Sequence, residues 1–177
     1  MAPKDFKELE DMMDFAIELK KPVVIRYPRG GEANDKFKMH STIKLKRCET
    51  LTLGNDVTIV ALGNQVSKAM QLFRDLKKQN INAEVINARF LKPLDTYAIL
   101  KSMCKTKFVI TLEDNSLKGG LGSEIKEIIA GKGLKDITIR NYGYPDVFVE
   151  HGSKDELEKK YKLDEKTILQ NIINTFK

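Results

Sequence analysis

The sequence has no tryptophan and only two cysteines in 177 residues. Cys48 and Cys104 lie far apart with no metal-ligand spacing, so neither a disulfide-stapled scaffold nor a thiolate metal site is indicated. Two free thiols in a reducing, cytoplasmic setting are the expectation. No apolar run approaches the roughly 20 residues of a membrane span, and the first thirty residues lack the apolar core of a signal peptide. Histidine is scarce too. His40 and His151 have no second His, no acid at a useful spacing and no nucleophile motif, so no triad or metal site can be assembled. His40 is read as a surface residue and His151 as structural. The net charge of +6 is not concentrated. Its densest run, Lys36, Lys38, Lys44, Lys46 and Arg47, has few aromatics to stack bases, and a solvated basic surface rather than a nucleic-acid site is expected. There is no internal repeat and no low-complexity tract.

What is present is a globular composition, 41% hydrophobic and 32% charged, of a length that suits one domain or one domain plus a fragment. The organising stretch is Val23-Val24-Ile25-Arg26-Tyr27-Pro28-Arg29-Gly30-Gly31. Three β-branched residues predict a buried strand. Pro28 and the glycine pair end it, which places two arginines near a strand's carboxyl end, where ligands bind in open α/β sheets. A guanidinium there suits a phosphate or carboxylate. Side chains three apart in extended chain point to opposite sides, so Arg26 and Arg29 are not expected to serve one ligand together. Arg29, beside two glycines that let a substrate approach, is the better phosphate ligand and Arg26 the weaker candidate; a salt bridge to a neighbouring acid is the competing reading for either.

Ahead of that stretch, Asp5 and Glu8 read as a capping box opening a helix whose apolar face is Phe6, Leu9, Met13, Ala16 and Ile17. A helix feeding one strand, without partners, suggests that the chain starts inside a domain. Thr42 to Leu53 is β-prone and, with Val57 to Leu62, suggests an antiparallel hairpin-like edge. From Gly63 the rhythm is βαβα. Strands are predicted at Ala83 to Asn87, Phe108 to Leu112 and Asp136 to Asn141, and helices over Val66 to Leu76, Leu94 to Met103 and Gly119 to Ala130. Ser153 with Glu156, and Asp164, cap two closing helices. This alternation predicts an α/β fold, a mostly parallel sheet with helices on both faces.

Two further constellations carry chemistry or packing. Gly119-Gly120-Leu121-Gly122-Ser123 follows a strand and opens a helix, whose free amides attract anions, although it matches neither the dinucleotide fingerprint nor a P-loop. Close helix-to-sheet packing is the competing reading, and the loop is kept as a possible ion site. Arg89 and Glu113 each end a strand and are expected to form a structural strand-tip pair. From the residues alone the result is an anion-binding strand tip without a complete catalytic site.

The motifs Arg26-Tyr27-Pro28-Arg29-Gly30, Asn87-Ala88-Arg89-Phe90-Leu91-Lys92-Pro93-Leu94-Asp95, Glu113 with Gly119 to Ser123, Gly143-Tyr144-Pro145-Asp146 and His151-Gly152-Ser153 occur in that order. Together they resemble the 1-deoxy-D-xylulose-5-phosphate synthases, transketolase-like enzymes, over nearly the whole chain but only their C-terminal portion. Asp114-Asn115 departs from the pattern, which tends to a second Glu. The resemblance implies that residues 1–31 are the end of a pyrimidine-binding domain, 32–41 a linker and 42–177 a transketolase C-terminal-like domain. It implies a thiamine diphosphate- and Mg²⁺-dependent, homodimeric enzyme that condenses pyruvate with glyceraldehyde 3-phosphate, releasing CO₂. Arg29 falls at the position that holds the aldehyde's phosphate. The catalytic centre falls before Met1, so no cofactor, metal or turnover is expected of this chain by itself; its partners would be the enzyme's remaining domains. A transketolase, a 2-oxo acid dehydrogenase β subunit, a nucleotide-binding domain and a free-standing α/β interaction module are the alternatives. The last predicts a start that packs on its own domain.

Overall fold

The structure is a computed structural model that describes residues 1–28, 31, 37 and 40–176. Helix α1 spans Phe6–Leu19 and is followed, after a long irregular connection, by β1 (Glu49–Thr50), β2 (Val57–Ala61), α2 (Gln65–Lys78), β3 (Ala83–Asn87) and α3 (Thr96–Thr106). Then come β4 (Phe108–Ser116), α4 (Leu121–Gly131), β5 (Thr138–Tyr144), α5 (Lys154–Lys160) and α6 (Glu165–Ile173). The strands form one sheet in the order β1-β3-β2-β4-β5. β2 to β5 are parallel and only β1 runs the other way, against β3. The expected α/β class is what forms. No described helix is long and apolar enough to cross a membrane.

The core follows from the two-residue period of a strand. Ile59, Ala61, Val85 and Ile110 point to one face, where Val66, Ala69, Leu72 and Leu76 of α2 and Ile168 and Ile172 of α6 cover them. Val60, Ile86 and Val109 point to the other, covered by Ile99 and Met103 of α3 and by Leu121 and Ile125 of α4. Thr58 also faces this second side, and its buried hydroxyl is satisfied by Ser102 at 2.6 Å and Thr106 at 2.8 Å on α3. The caps read from sequence are in place. Asp95 accepts from the Ala98 amide, Asp164 from the Thr167 amide, and Ser153 and Glu156 form a reciprocal capping box.

Three expectations fail. Thr42 to Leu53 does not pair with β2. It contributes only the two-residue β1, which pairs with β3 in the register Glu49↔Asn87, because the chain crosses the start of β3 before entering β2. Val23-Val24-Ile25 is not a buried strand. Among the described residues Met1 bonds here, donating its amino group to the Val24 carbonyl at 2.7 Å and accepting from the Arg26 amide at 2.9 Å, and Val24 is 80% exposed. Strand propensity needs neighbouring strands to become a strand, and none of the described strands of the sheet pairs with this run. Helix α1 is rolled away from its expected face. It buries Glu8 and Met12, whereas Phe6, Met13 and Ile17 point to solvent. Asp5 caps it as expected, but the Glu8 carboxylate bonds the Lys4 amide at 2.7 Å, one residue ahead of the reciprocal capping position.

Candidate functional site

In an open α/β sheet the crevice lies where successive connections leave in opposite directions. Here β2 leads through α2 to β3 on one side, while β4 lies on its other side, so the crevice opens at the carboxyl ends of β2 and β4. Gly63 and Asn64 leave β2 there, and Asp114 and Asn115 lie near the end of β4. The N-terminal segment sits over this point. Ala2 is buried, its amide donates to the Arg89 carbonyl at 2.9 Å, and a Cβ on Gly63 would stand 3.1 Å from the Ala2 methyl. Gly63 also has a φ of +63°, so it serves both the turn and the close approach.

Arg26 reaches this crevice from above. Its guanidinium donates to the Asp114 carbonyl and, at 3.3 Å, to Asn115 Oδ1, with the Asp114 carboxylate 4.0 Å away. Asn64 in turn donates to Asp114 Oδ2 at 2.8 Å. The two residues that depart from the family pattern, Asp114 and Asn115, are therefore Arg26's partners. This is the salt-bridge role, with about half of the side chain still in water. Tyr27, Pro28 and Gly31 line a small adjoining crevice with Pro3, Phe6 and Asn64. Arg29 and Gly30, the preferred anion contact and its neighbour, lie outside the described residues, as does most of the 32–41 linker.

The Gly119 to Ser123 loop already holds an anion, and it is the chain's own. The Glu113 carboxylate accepts from the Leu121 amide at 2.7 Å and the Gly122 amide at 2.9 Å, at the N-terminus of α4. Gly119 donates to Ser123 Oγ and Gly120 to the Leu117 carbonyl. A Cβ on Gly120 would fall 2.0 Å from Glu113 Oε2, so glycine is what lets the carboxylate close on the helix. The reading of this loop as an external ion site is corrected accordingly.

The expected Arg89–Glu113 pair does not form. β2 separates the strands that carry them, and each finds a nearer partner. Arg89 is 1% exposed and in the left-handed region at φ 58°. Its Nε donates to Glu8 at 2.7 Å, and its Nη2 lies 3.1 Å from Glu49 and donates to the Ser41 carbonyl at 3.0 Å. Lys4 completes a buried quartet, 3.3 Å from Glu8 and 2.6 Å from Glu49. Asn87 donates to Glu8 at 2.9 Å, and the Lys4 ammonium stands over the Phe37 ring. Two cations balance two anions, and every buried side-chain polar atom among the described residues is bonded. Burial opposes ionisation of Glu49, but the Lys4 hydrogen bond and charge, the Arg89 charge and Ser41 outweigh it and hold the carboxyl down at about 2. Sequence reading missed Lys4 and Glu49 and gave Glu8 only a capping role; the one local signal was the four-residue spacing of Lys4 and Glu8.

The histidines and cysteines separate from this site. His40 is not a plain surface residue, because its Nε2 lies 2.6 Å from Asp5 Oδ2 at the cap of α1. His151 is exposed and makes no polar contact among the described residues. Cys48 has its thiol pushed up to about 12 by burial and by the Asp95 charge, which makes it a poor nucleophile. Among the described residues no three His, Cys, Asp or Glu side chains come together to hold a metal ion. The acids at the crevice are also committed, Asp114 to Asn64 and Arg26 and Glu113 to α4. These residues do not fit a Mg²⁺-bound diphosphate. The crevice has hydrogen-bonding groups, one half-exposed cation and no nucleophile–base pair among its described residues, an arrangement suited to binding.

Comparison with known proteins agrees with this architecture. Residues 46–168 match the family model described as transketolase, C-terminal domain. The chain is 42% identical over 166 residues to a 1-deoxy-D-xylulose-5-phosphate synthase of Desulforudis audaxviator, covering 92% of this chain and 26% of the relative. It is 43% identical over 174 residues to the synthase of Halothermothrix orenii, covering 98% and 27%. It thus spans about a quarter of the length of the curated relatives it matches. Among solved structures, a split-gene transketolase in an inactive beta4 tetramer superposes with a TM-score of 0.88 at 31% identity, over 98% of this chain and 56% of that one. A transketolase from Campylobacter jejuni shares the fold at a TM-score of 0.61 and 14% identity, over 98% of this chain and 25% of that one. The sheet order, the crevice and the matched residues lead to one conclusion: the chain belongs to the transketolase C-terminal domain family.

Proposed function

We infer that the chain works as the C-terminal part of a 1-deoxy-D-xylulose-5-phosphate synthase, a cytoplasmic, homodimeric enzyme that condenses pyruvate with glyceraldehyde 3-phosphate and releases CO₂. The observation that carries this reading is identity of 42–43% to such synthases along nearly the whole chain. Residues 1–31 would complete a pyrimidine-binding domain, 32–41 would link, and 42–177 would form the C-terminal domain. Thiamine diphosphate and Mg²⁺, which supply the carbanion chemistry, would be held by polypeptide outside this chain. Arg29 would clamp the phosphate of the aldehyde.

The outward stripe Phe6, Met13 and Ile17, with Val24, supports the presence of further polypeptide over α1. One observation favours the free-standing module instead: α1 is packed on the domain, through Glu8 and Met12, rather than detached. Turnover separates the two. The purified chain is expected to form no deoxyxylulose phosphate from the two substrates with cofactor and Mg²⁺ supplied. A fusion that places the missing three-quarters of a relative ahead of Met1 is expected to form it. Product from the chain alone, or an inactive but folded, cofactor-loaded fusion, would overturn the reading.

A further inference from the structure

We propose that the outer edge of β5, with the apolar loop that follows it, is a docking surface for a second copy of this chain, paired antiparallel about Ile139. β5 is the last strand of the sheet and has a neighbour on one side only. The Thr138 amide donates to the Lys107 carbonyl just ahead of β4, so by alternation Thr138, Arg140 and Tyr142 turn their backbone groups toward β4. Ile137, Ile139 and Asn141 turn theirs outward, where they bond no described residue. Such an edge is a template for another strand. The devices that blunt edges are missing from it. Ile137 to Asn141 holds no proline or lysine, and the register against β4 is regular from Phe108 to Leu112. Arg140, the one charge in the run, is drawn onto the sheet face. It donates to the Asn171 carbonyl at 2.6 Å, and its guanidinium stands over the Phe108 ring.

Beyond β5 the chain runs into an apolar prong. Phe148 is fully exposed, and Val147 and Val149 beside it are exposed as well. Two ion pairs hold the prong out from the domain, Asp146 with Lys118 at 3.0 Å and Glu150 with Lys160.

The chain's own chemistry selects a second copy as the occupant. Antiparallel pairing with Ile139 opposite the partner's Ile139 uses all three outward residues of each edge, with Asn141 facing the partner's Ile137. It sets Arg140 against the partner's Thr138, whereas a two-residue slip would set Arg140 against the partner's Arg140 and repel. Continued past the strands, the same register carries Asp146 to the partner's Lys132 and Phe148 to the partner's Ile129 and Leu134, which are only partly buried. Lys132 is exposed and bonds no acid among the described residues, and the pair that Asp146 makes with Lys118 is exposed and weak, so each charge is open to the other. Two-fold symmetry makes the contact twice. The strand edges give it direction, and the two phenylalanines give it apolar burial. The claim stands apart from the synthase reading, because it concerns this chain alone.

Sedimentation equilibrium of the 177-residue chain at rising concentration is expected to show monomer passing to dimer and to nothing larger. Phe148→Ser, at a side chain fully exposed in the monomer, should weaken the dimer about tenfold or more. Asp146→Lys and Lys132→Asp should each weaken it as well. An equimolar mixture of those two variants should dimerise as the wild type does, since every junction then joins unlike charges. Hydrogen exchange reads the surface directly. The Ile137, Ile139 and Asn141 amides should gain protection as concentration rises, while those of Arg140 and Tyr142, already bonded to β4, should not change. The exchange series on the wild type needs no variant, so a variant that misfolds leaves the test standing. A chain that stays monomeric throughout would assign the edge to other polypeptide and overturn the proposal. A dimer that Phe148→Ser leaves intact, a mixture no tighter than its parts, or a dimer whose three outward amides stay unprotected would overturn it too.

Discussion

Replacing Arg89 with methionine should cost the fold about 3–5 kcal/mol, because it leaves two buried carboxylates facing one ammonium. Glu8 and Glu49 are 1% and 9% exposed, so water cannot take over the lost charge. The Ser41 carbonyl also loses its donor. A urea denaturation series would show the loss as a lower midpoint at unchanged slope. Adding Glu49→Gln to Arg89→Met restores the balance of one cation and one anion and should recover about 1 kcal/mol or more. A loss under about 1 kcal/mol for the single variant would mean that the quartet is not tightly coupled.

Removing Glu113 comes next in size. Glu113→Ala leaves the buried Leu121 and Gly122 amides without an acceptor, strips Asn115 of a partner and takes the negative charge from the start of α4. Two unsatisfied buried donors and a lost helix-terminal charge add to about 2–4 kcal/mol. Glu113→Gln keeps an acceptor at one amide and should cost about half as much. Gly120→Ala should behave like the alanine variant at Glu113, since the added methyl would meet Glu113 Oε2 at 2.0 Å and the Ser116 carbonyl at 2.7 Å. Thermal melts of the three variants check the order. A Glu113→Ala chain within about 0.5 kcal/mol of wild type would contradict the cradle.

The sheet could be read from the sequence because its cues are local. Val57 to Leu62, Ala83 to Asn87 and Phe108 to Leu112 are short apolar runs bounded by turns, and Asp95, Ser153 and Asp164 announce helices within four residues. What failed depends on which elements become neighbours. Val23 to Ile25 has strand composition but pairs with none of the described strands of the sheet. Arg89 and Glu113 were matched as strand ends, yet β2 lies between their strands, and Glu8 and Glu49 reach Arg89 from distant parts of the chain. For the Gly119 to Ser123 loop the sequence leaves packing and a possible ion site both open; that Glu113 takes the Leu121 and Gly122 amides is not legible, because the return of α4 against the end of β4 is a tertiary fact. The apolar stripe of α1 was assigned inward on amphipathicity alone, whereas the charges of Glu8 and Arg89 set the roll of the helix.

The central claim is that Arg29 clamps the phosphate of a substrate whose chemistry occurs on polypeptide outside this chain. Steady-state kinetics of the Arg29→Ala variant in the complete enzyme tests it most directly. Loss of a charge-assisted bidentate contact of about 2–3 kcal/mol predicts a KM for glyceraldehyde 3-phosphate raised about 30- to 150-fold, with the KM for pyruvate nearly unchanged. Equal changes in both would contradict the account.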